Sequence, residues 1–136
     1  MKIIIPLIVF SLVISFKASS QALSTDEEIY DYGRFLYSQN LYDSAMDVLH
    51  PLTDKTGSQF APYAGYYYCL ASYKKGFEYI ALDMANYIMI NYPKWNNLNE
   101  LRLWLVKFYL ADKNYSKAIS IVDDINADKV KKLYPR

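Results

Sequence analysis

The chain has one histidine, His50, and one cysteine, Cys69. A metal site needs three or four clustered ligands, and a nucleophile needs a base within hydrogen-bond reach. His50 stands directly before Pro51 near a predicted helix end, and no pattern selects partners for it. Cys69 falls at a small apolar position of a helical stripe, where a thiol packs as a small hydrophobe. The adjacent acids Asp123 and Asp124 diverge on a helix, as do Asp26, Glu27 and Glu28, so neither set converges as an acid/base pair. Asp26 to Glu28 instead complement the positive start of a first helix. There is no phosphate-binding glycine loop. These residues imply no catalytic group, no cofactor and no metal ligand.

Aromatic side chains offer a different chemistry. The chain carries fifteen tyrosines, and Tyr63, Tyr66, Tyr67, Tyr68 and Tyr73 crowd into one helical stretch. Tyr66, Tyr67 and Tyr68 point about 100° apart in succession, so a single inward stripe cannot hold all three. At least one meets solvent or a partner. Tyrosine and arginine combine apolar area with a polar handle and are enriched where proteins dock. A carbohydrate-binding module is the competing reading: Trp95 and Trp104 lie near Asn96, Asn97 and Asn99, and Trp95, after Pro93, is expected to be the more exposed.

The elements that must position these residues are repeats. Ala45, Ala81 and Ala118 recur at spacings of 36 and 37, each just beyond a short polar turn. In the first unit Ile29, Tyr32, Gly33 and Leu36 share a face at 3-4 spacing, and Ala45, Leu49 and Leu52 line the returning helix. Tyr68, Cys69 and Ser72 repeat the pattern before Lys75-Gly76-Phe77, and Ala81, Ala85 and Ile88 after it. Leu105, Val106 and Tyr109 precede Asp112-Lys113-Asn114, with Ala118, Val122 and Ile125 returning. Large side chains cannot fit where two backbones approach, so Gly33, Ala45, Cys69, Ala81 and Ala118 are expected at helix crossings. The expected units span 26–57, 60–93 and 97–126, with 127–136 a partial capping helix or the start of a further element.

Gly33, Leu36, Tyr42, Ala45 and Leu49 in unit one, Gly76, Ala81 and Pro93 in unit two, and Tyr109, Tyr115 and Ala118 in unit three resemble the tetratricopeptide repeat family. The resemblance departs at Glu78 and Val106. It implies an all-α, right-handed superhelix of about three helical hairpins, stable only by stacking, whose first helices line a concave groove. Carried over, that groove would hold Tyr30, Arg34 and Tyr37 from unit one, Tyr63, Tyr66, Tyr73 and Lys74 from unit two, and Leu103 and Lys107 from unit three. Cations among tyrosines imply a peptide or protein partner with acidic character. Glu100 and Trp104 stand where the family's carboxylate-clamping members carry cations. Tyrosines packing on a further helix of the same chain, or self-association through an incomplete C-terminal cap, are the alternatives.

Lys2, the apolar stretch Ile3 to Phe16 and Ser20-Gln21-Ala22 read as an export signal cleaved after Ala22. Fourteen residues fall short of the roughly 20 that cross a bilayer, and no cysteine directly follows the stretch for a lipid anchor. Without Lys2 and Lys17, thirteen basic residues face fourteen acidic ones, so bulk attraction to nucleic acid is not indicated. The expectation is an exported, periplasmic or envelope-associated noncatalytic adaptor. Together with the repeats, the signal resembles exported members of the family in Gram-negative envelopes, including those of outer-membrane assembly and secretion. N-terminal sequencing of envelope-extracted protein should begin at Leu23; a carbonate-resistant membrane form retaining Met1 to Ala22 would contradict this.

Overall fold

The turn residues set the architecture. The structure, a computed structural model, describes residues 25–133; the expected signal at 1–22 and the last three residues lie outside them. Six α-helices and no strand occur among the described residues: α1 Asp26–Ser38, α2 Tyr42–Thr53, α3 Ala61–Lys74, α4 Glu78–Asn91, α5 Leu98–Ala111 and α6 Tyr115–Leu133. The protein is all-α. Thr25 starts α1: its Oγ1 accepts the Glu28 N–H at 3.2 Å, while the Glu28 carboxylate accepts the Thr25 N–H at 3.1 Å. That reciprocal pair satisfies two otherwise orphaned donors.

Each hairpin reverses through the same backbone motif. Asn40, Gly76 and Lys113 have φ of 61°, 82° and 58°, and they stand 36 and 37 residues apart. In each turn the next amide donates back five residues: Leu41 to Leu36, Phe77 to Ser72 and Asn114 to Tyr109, at 3.0, 2.9 and 2.8 Å. The left-handed residue's own amide donates to Tyr37, Tyr73 and Leu110. This pattern closes the carbonyl end of a helix and turns the chain sharply. Gly76 adopts it without steric cost and Asn40 at little, whereas Lys113 carries a Cβ in a region unfavourable to it. The alanine period of the sequence is therefore also a period of hydrogen bonds.

Packing runs in chain order. Each helix packs on the next, α1 also meets α3, and α4 meets α5 over only a short stretch. Ala45 and Ala81 are fully buried and Ala118 is 2% exposed, at corresponding points of α2, α4 and α6. A large apolar cluster joins Cys69, Ala81, Ala85 and Ile88 to Leu98, Leu101 and Leu105, sealing the second hairpin onto α5. Leu49, Leu52 and Ala64 join the first hairpin to the second. Two expected inward residues lie instead on the surface: Tyr32 of α1 and Val122 of α6 are exposed. They lie on the first and last helices, where no further hairpin covers them among the described residues. Residues 127–133 continue α6, which runs unbroken from Tyr115 to Leu133. Among the described residues no helix is long and apolar enough to cross a membrane.

Gly33 shows how tight the crossing is. A Cβ at this position would meet Cγ and Cδ2 of Leu49 at 2.4 Å. In an open helix Gly to Ala stabilises by roughly 0.5–1 kcal/mol, so the sign of the change is diagnostic. Gly33→Ala should lower unfolding free energy by about 1 to 3 kcal/mol. In a Leu49→Ala background, which frees the space, the cost should vanish, giving a coupling of about 1 kcal/mol or more in a denaturant double-mutant cycle. Additive changes would place Gly33 away from the crossing.

Candidate functional site: an aromatic face on α1 and α3

Three tyrosines of α3 share a face because Tyr63, Tyr66 and Tyr67 have 3-4 spacing. Opposite them on α1 stand Tyr30 and Tyr37, seven residues apart. The two helices bring these rings into a closed circuit through Trp95, which reaches back from the α4–α5 connection. Centroids run Tyr30 to Tyr63 5.9 Å, Tyr63 to Trp95 5.2 Å, Trp95 to Tyr66 5.9 Å, Tyr66 to Tyr67 5.7 Å and Tyr67 to Tyr30 6.0 Å. Most contacts are edge-to-face or tilted, the arrangement that ring quadrupoles favour. Phe60 stacks on Tyr30 at 5.6 Å, and Tyr37 meets Tyr67 at 5.4 Å and Tyr42 at 5.5 Å.

Every ring of this circuit is half-buried. Tyr37, Tyr63, Tyr66 and Tyr67 make no hydrogen bond through their hydroxyls within the described chain, yet none of these hydroxyls is sealed from water. The rings therefore bind helix to helix while these hydroxyls keep access to solvent. Burial raises the hydroxyl pKa of Tyr30 and Tyr37 above the ordinary tyrosine value. For Tyr66, burial first and the Glu100 carboxylate second push it up to about 12. These phenols act at neutral pH as hydrogen-bonding groups and carry no charge.

Arg34 flanks the circuit. Its guanidinium lies over the Tyr30 ring at 5.5 Å and is 3.5 Å from the Asp31 carboxylate, with both side chains more than half exposed. A shallow groove of about 510 Å³ runs here between Asp31, Arg34, Phe35, Tyr37, Ser38 and Tyr67. An exposed ion pair of this kind contributes little stability, so the guanidinium exchanges partners at small cost.

Of the residues expected in the groove, Tyr30, Arg34, Tyr37, Tyr63 and Tyr66 are linked by ring and cation contacts, directly or through Tyr67. The structure separates the others. Tyr73 belongs to a second aromatic group, 5.5 Å from Trp104 and 5.8 Å from Phe108. Lys74 and Lys107 are exposed and make no ring or ion-pair contact among the described residues. Tyr67 is the member that sequence reasoning misses, although its spacing from Tyr63 holds the signal. Tyr68 is the one turned away, toward His50 of α2 at 5.6 Å. Trp95 and Trp104 are both half-buried; Trp95 sits between Tyr63 and Tyr66, with its indole N–H sealed without a partner. A cleft of about 280 Å³ is lined by Trp95 together with Asn96, Asn99, Asp128 and Lys131.

Among the described residues no group of three or more His, Cys, Asp or Glu could hold a metal ion. Cys69 is buried, and burial pushes its thiol up to about 12. Comparison of the chain with protein-family models, with curated proteins and with solved structures gives no match.

The raised values of Tyr66 and Cys69 fix a pH dependence. Both groups stay neutral in the folded state up to about 12, whereas in the unfolded chain they ionise near 10 and 9. The unfolded state thus holds fewer protons between about pH 9 and 12, and stability falls as pH rises through that window. Denaturation midpoints should be flat near neutrality and decline above pH 9, and Tyr66→Phe should flatten the upper part of the decline. Native Cys69 should resist a thiol reagent at pH 8 and react on unfolding. A midpoint unchanged to pH 11, or rapid native labelling, would contradict the burial of these groups.

Proposed function

We propose that the chain is an exported, noncatalytic adaptor built as a tetratricopeptide-like right-handed superhelix, which binds an extended peptide or protein segment in the cell envelope. Three hairpins reversing through one motif at 36- and 37-residue intervals, with small residues at the crossings and α1 set against α3, support the repeat reading. The α1–α3 aromatic face carries the functional one. Its rings are fixed by mutual packing, so little side-chain entropy remains to be lost on binding. The solvent-accessible hydroxyls offer hydrogen bonds along an extended backbone, while Arg34 favours an acidic residue in the groove beside Tyr37 and Tyr67. Such rigid, half-buried tyrosines beside an arginine are the side-chain types that dominate interface energies. Outer-membrane assembly or secretion is the setting proposed for such a partner.

A carbohydrate reading has one observation in its favour, the cleft bordered by Asn96 and Asn99. Against it stand the seating of Trp95 among tyrosines and the engagement of Trp104 with Tyr73 and Phe108.

Selection from a random peptide library on the immobilised protein separates the two readings. Enriched peptides should combine acidic and apolar residues, and Arg34→Ala or Tyr67→Ala should weaken them by about ten- to a hundredfold, roughly 1 to 3 kcal/mol, with helical circular dichroism intact. Binding should weaken with salt. No enrichment, or affinity untouched by both substitutions, would refute the groove; oligosaccharide binding lost in Asn96→Ala with Asn99→Ala would favour the cleft.

A further inference from the structure

The two ends of the array carry the same pair of surfaces that seal its interior seams. Aligned through the hairpin alanines, Tyr32 of α1 corresponds to Tyr68 of α3 and Leu105 of α5. Val122 of α6 corresponds to Leu49 of α2 and Ala85 of α4. Inside the molecule the first kind of position covers the second. Leu49 is fully buried in a cluster with Tyr68 and Ala64 of the following hairpin. Ala85 is fully buried with Leu101 and Leu105 of the hairpin after it. A parallel pair behaves alike: Met46 of α2 packs with Ala71 of α3, and the Ser72 hydroxyl lies 3.7 Å from the Met46 sulfur. Its end-face counterparts are Phe35 and Ile119.

At the ends these positions are apolar and open. Tyr32 and Phe35 are 44% and 55% exposed on the front of α1. Val122 and Ile119 are 38% and 61% exposed on the rear of α6, and Leu103 and Leu110 of α5, at 50% each, extend that rear face. Contiguous exposed apolar residues of this kind mark interaction surfaces.

Charge distinguishes the two faces. Residues 25–57 hold seven acidic side chains against Arg34 and Lys55, a formal charge of −5. Residues 98–133 hold five acidic against seven basic side chains, a formal +2. Glu28 and Asp31 flank Tyr32 and Phe35 by helical spacing; on α6 Asp123 flanks Ile119 and Lys129 continues the Ile119 and Val122 stripe, so the basic excess of the rear comes from the third hairpin as a whole. Front faces repel front faces, and front attracts rear.

We infer that the front of α1 in one copy docks on the rear of α5 and α6 in a second copy, continuing the stacking of hairpins head to tail. Tyr32 then covers Val122 as Tyr68 covers Leu49 and as Leu105 covers Ala85, and Phe35 meets Ile119. The contact is heterologous: each copy uses one surface as donor and another as acceptor, so chains add on rather than close as a two-fold pair. This interface borders the α1–α3 groove through Asp31 and Phe35, whereas Tyr32, Val122 and Ile119, whose substitutions report on it, do not line that groove.

Sedimentation of the purified protein, in the form the cell holds, tests this across a concentration series. Wild type should self-associate, more weakly at high salt. Tyr32→Asp and Ile119→Asp should each lower the association constant by about tenfold or more. Mixed in equal amounts, the two variants should recover a heterodimer and nothing larger, since one keeps an intact rear and the other an intact front. Tyr79→Asp, at a position 90% exposed and away from both faces, should associate as wild type does, and circular dichroism should show all variants folded. A wild type that stays monomeric, a mixture that fails to pair, or either variant pairing with itself as strongly as wild type would overturn the head-to-tail contact.

Discussion

Two helices joined by a hydrogen-bonded turn of three residues approach most closely where one of them carries little or no side chain at the crossing. Gly33 is such a position against Leu49, whose methyl groups occupy the space a Cβ would need. Gly65 stands similarly against Ile88, and the buried alanines 45, 81, 85 and 118 keep the other crossings narrow. Close packing then shapes the seams between hairpins, which Leu49, Leu52, Leu101 and Leu105 fill together with Tyr30, Tyr66, Tyr67 and both tryptophans.

The first seam is finished with tyrosine where leucine would serve equally well for burial alone. A phenol divides its surface between an apolar ring and a hydroxyl, so one side chain both joins α1 to α3 and decorates the face they form. Adhesion and display are thereby carried by the same atoms, and the display face inherits the rigidity of the seam. Arg34 shares in this arrangement by resting on Tyr30.

Much of the fold is legible in the sequence because the periodic alanines, the polar turns and the stop at Pro93 all mark backbone events that recur at one interval. The hairpin limits derive closely from them. The aromatic face is partly legible. The repeat register locates Tyr30, Arg34, Tyr37, Tyr63 and Tyr66, whereas Tyr67 escapes it because three consecutive tyrosines leave the helix phase ambiguous by one residue. The contact of Trp95 with Tyr63 and Tyr66 is not legible, because its segment comes after a proline and reads as surface loop; only the fold returns that loop to α3. Tyr32 and Val122 are assigned inward by a pattern that holds for the positions between hairpins and fails on the first and last described helices, where both are exposed. The reach of Lys74 and Lys107 is likewise set by the spacing between seams, which no local pattern encodes.

Both tryptophans of the chain lie on the seam between α3 and the third hairpin: Trp95 between Tyr63 and Tyr66, and Trp104 against Tyr73. The first hairpin contains none. Intrinsic indole emission is thus a local gauge of the attachment of the third hairpin, blind to fraying of α2 at the opposite end. The sealed indole N–H of Trp95 sharpens that gauge, since water reaching it would shift the emission to longer wavelength before the backbone helices had melted.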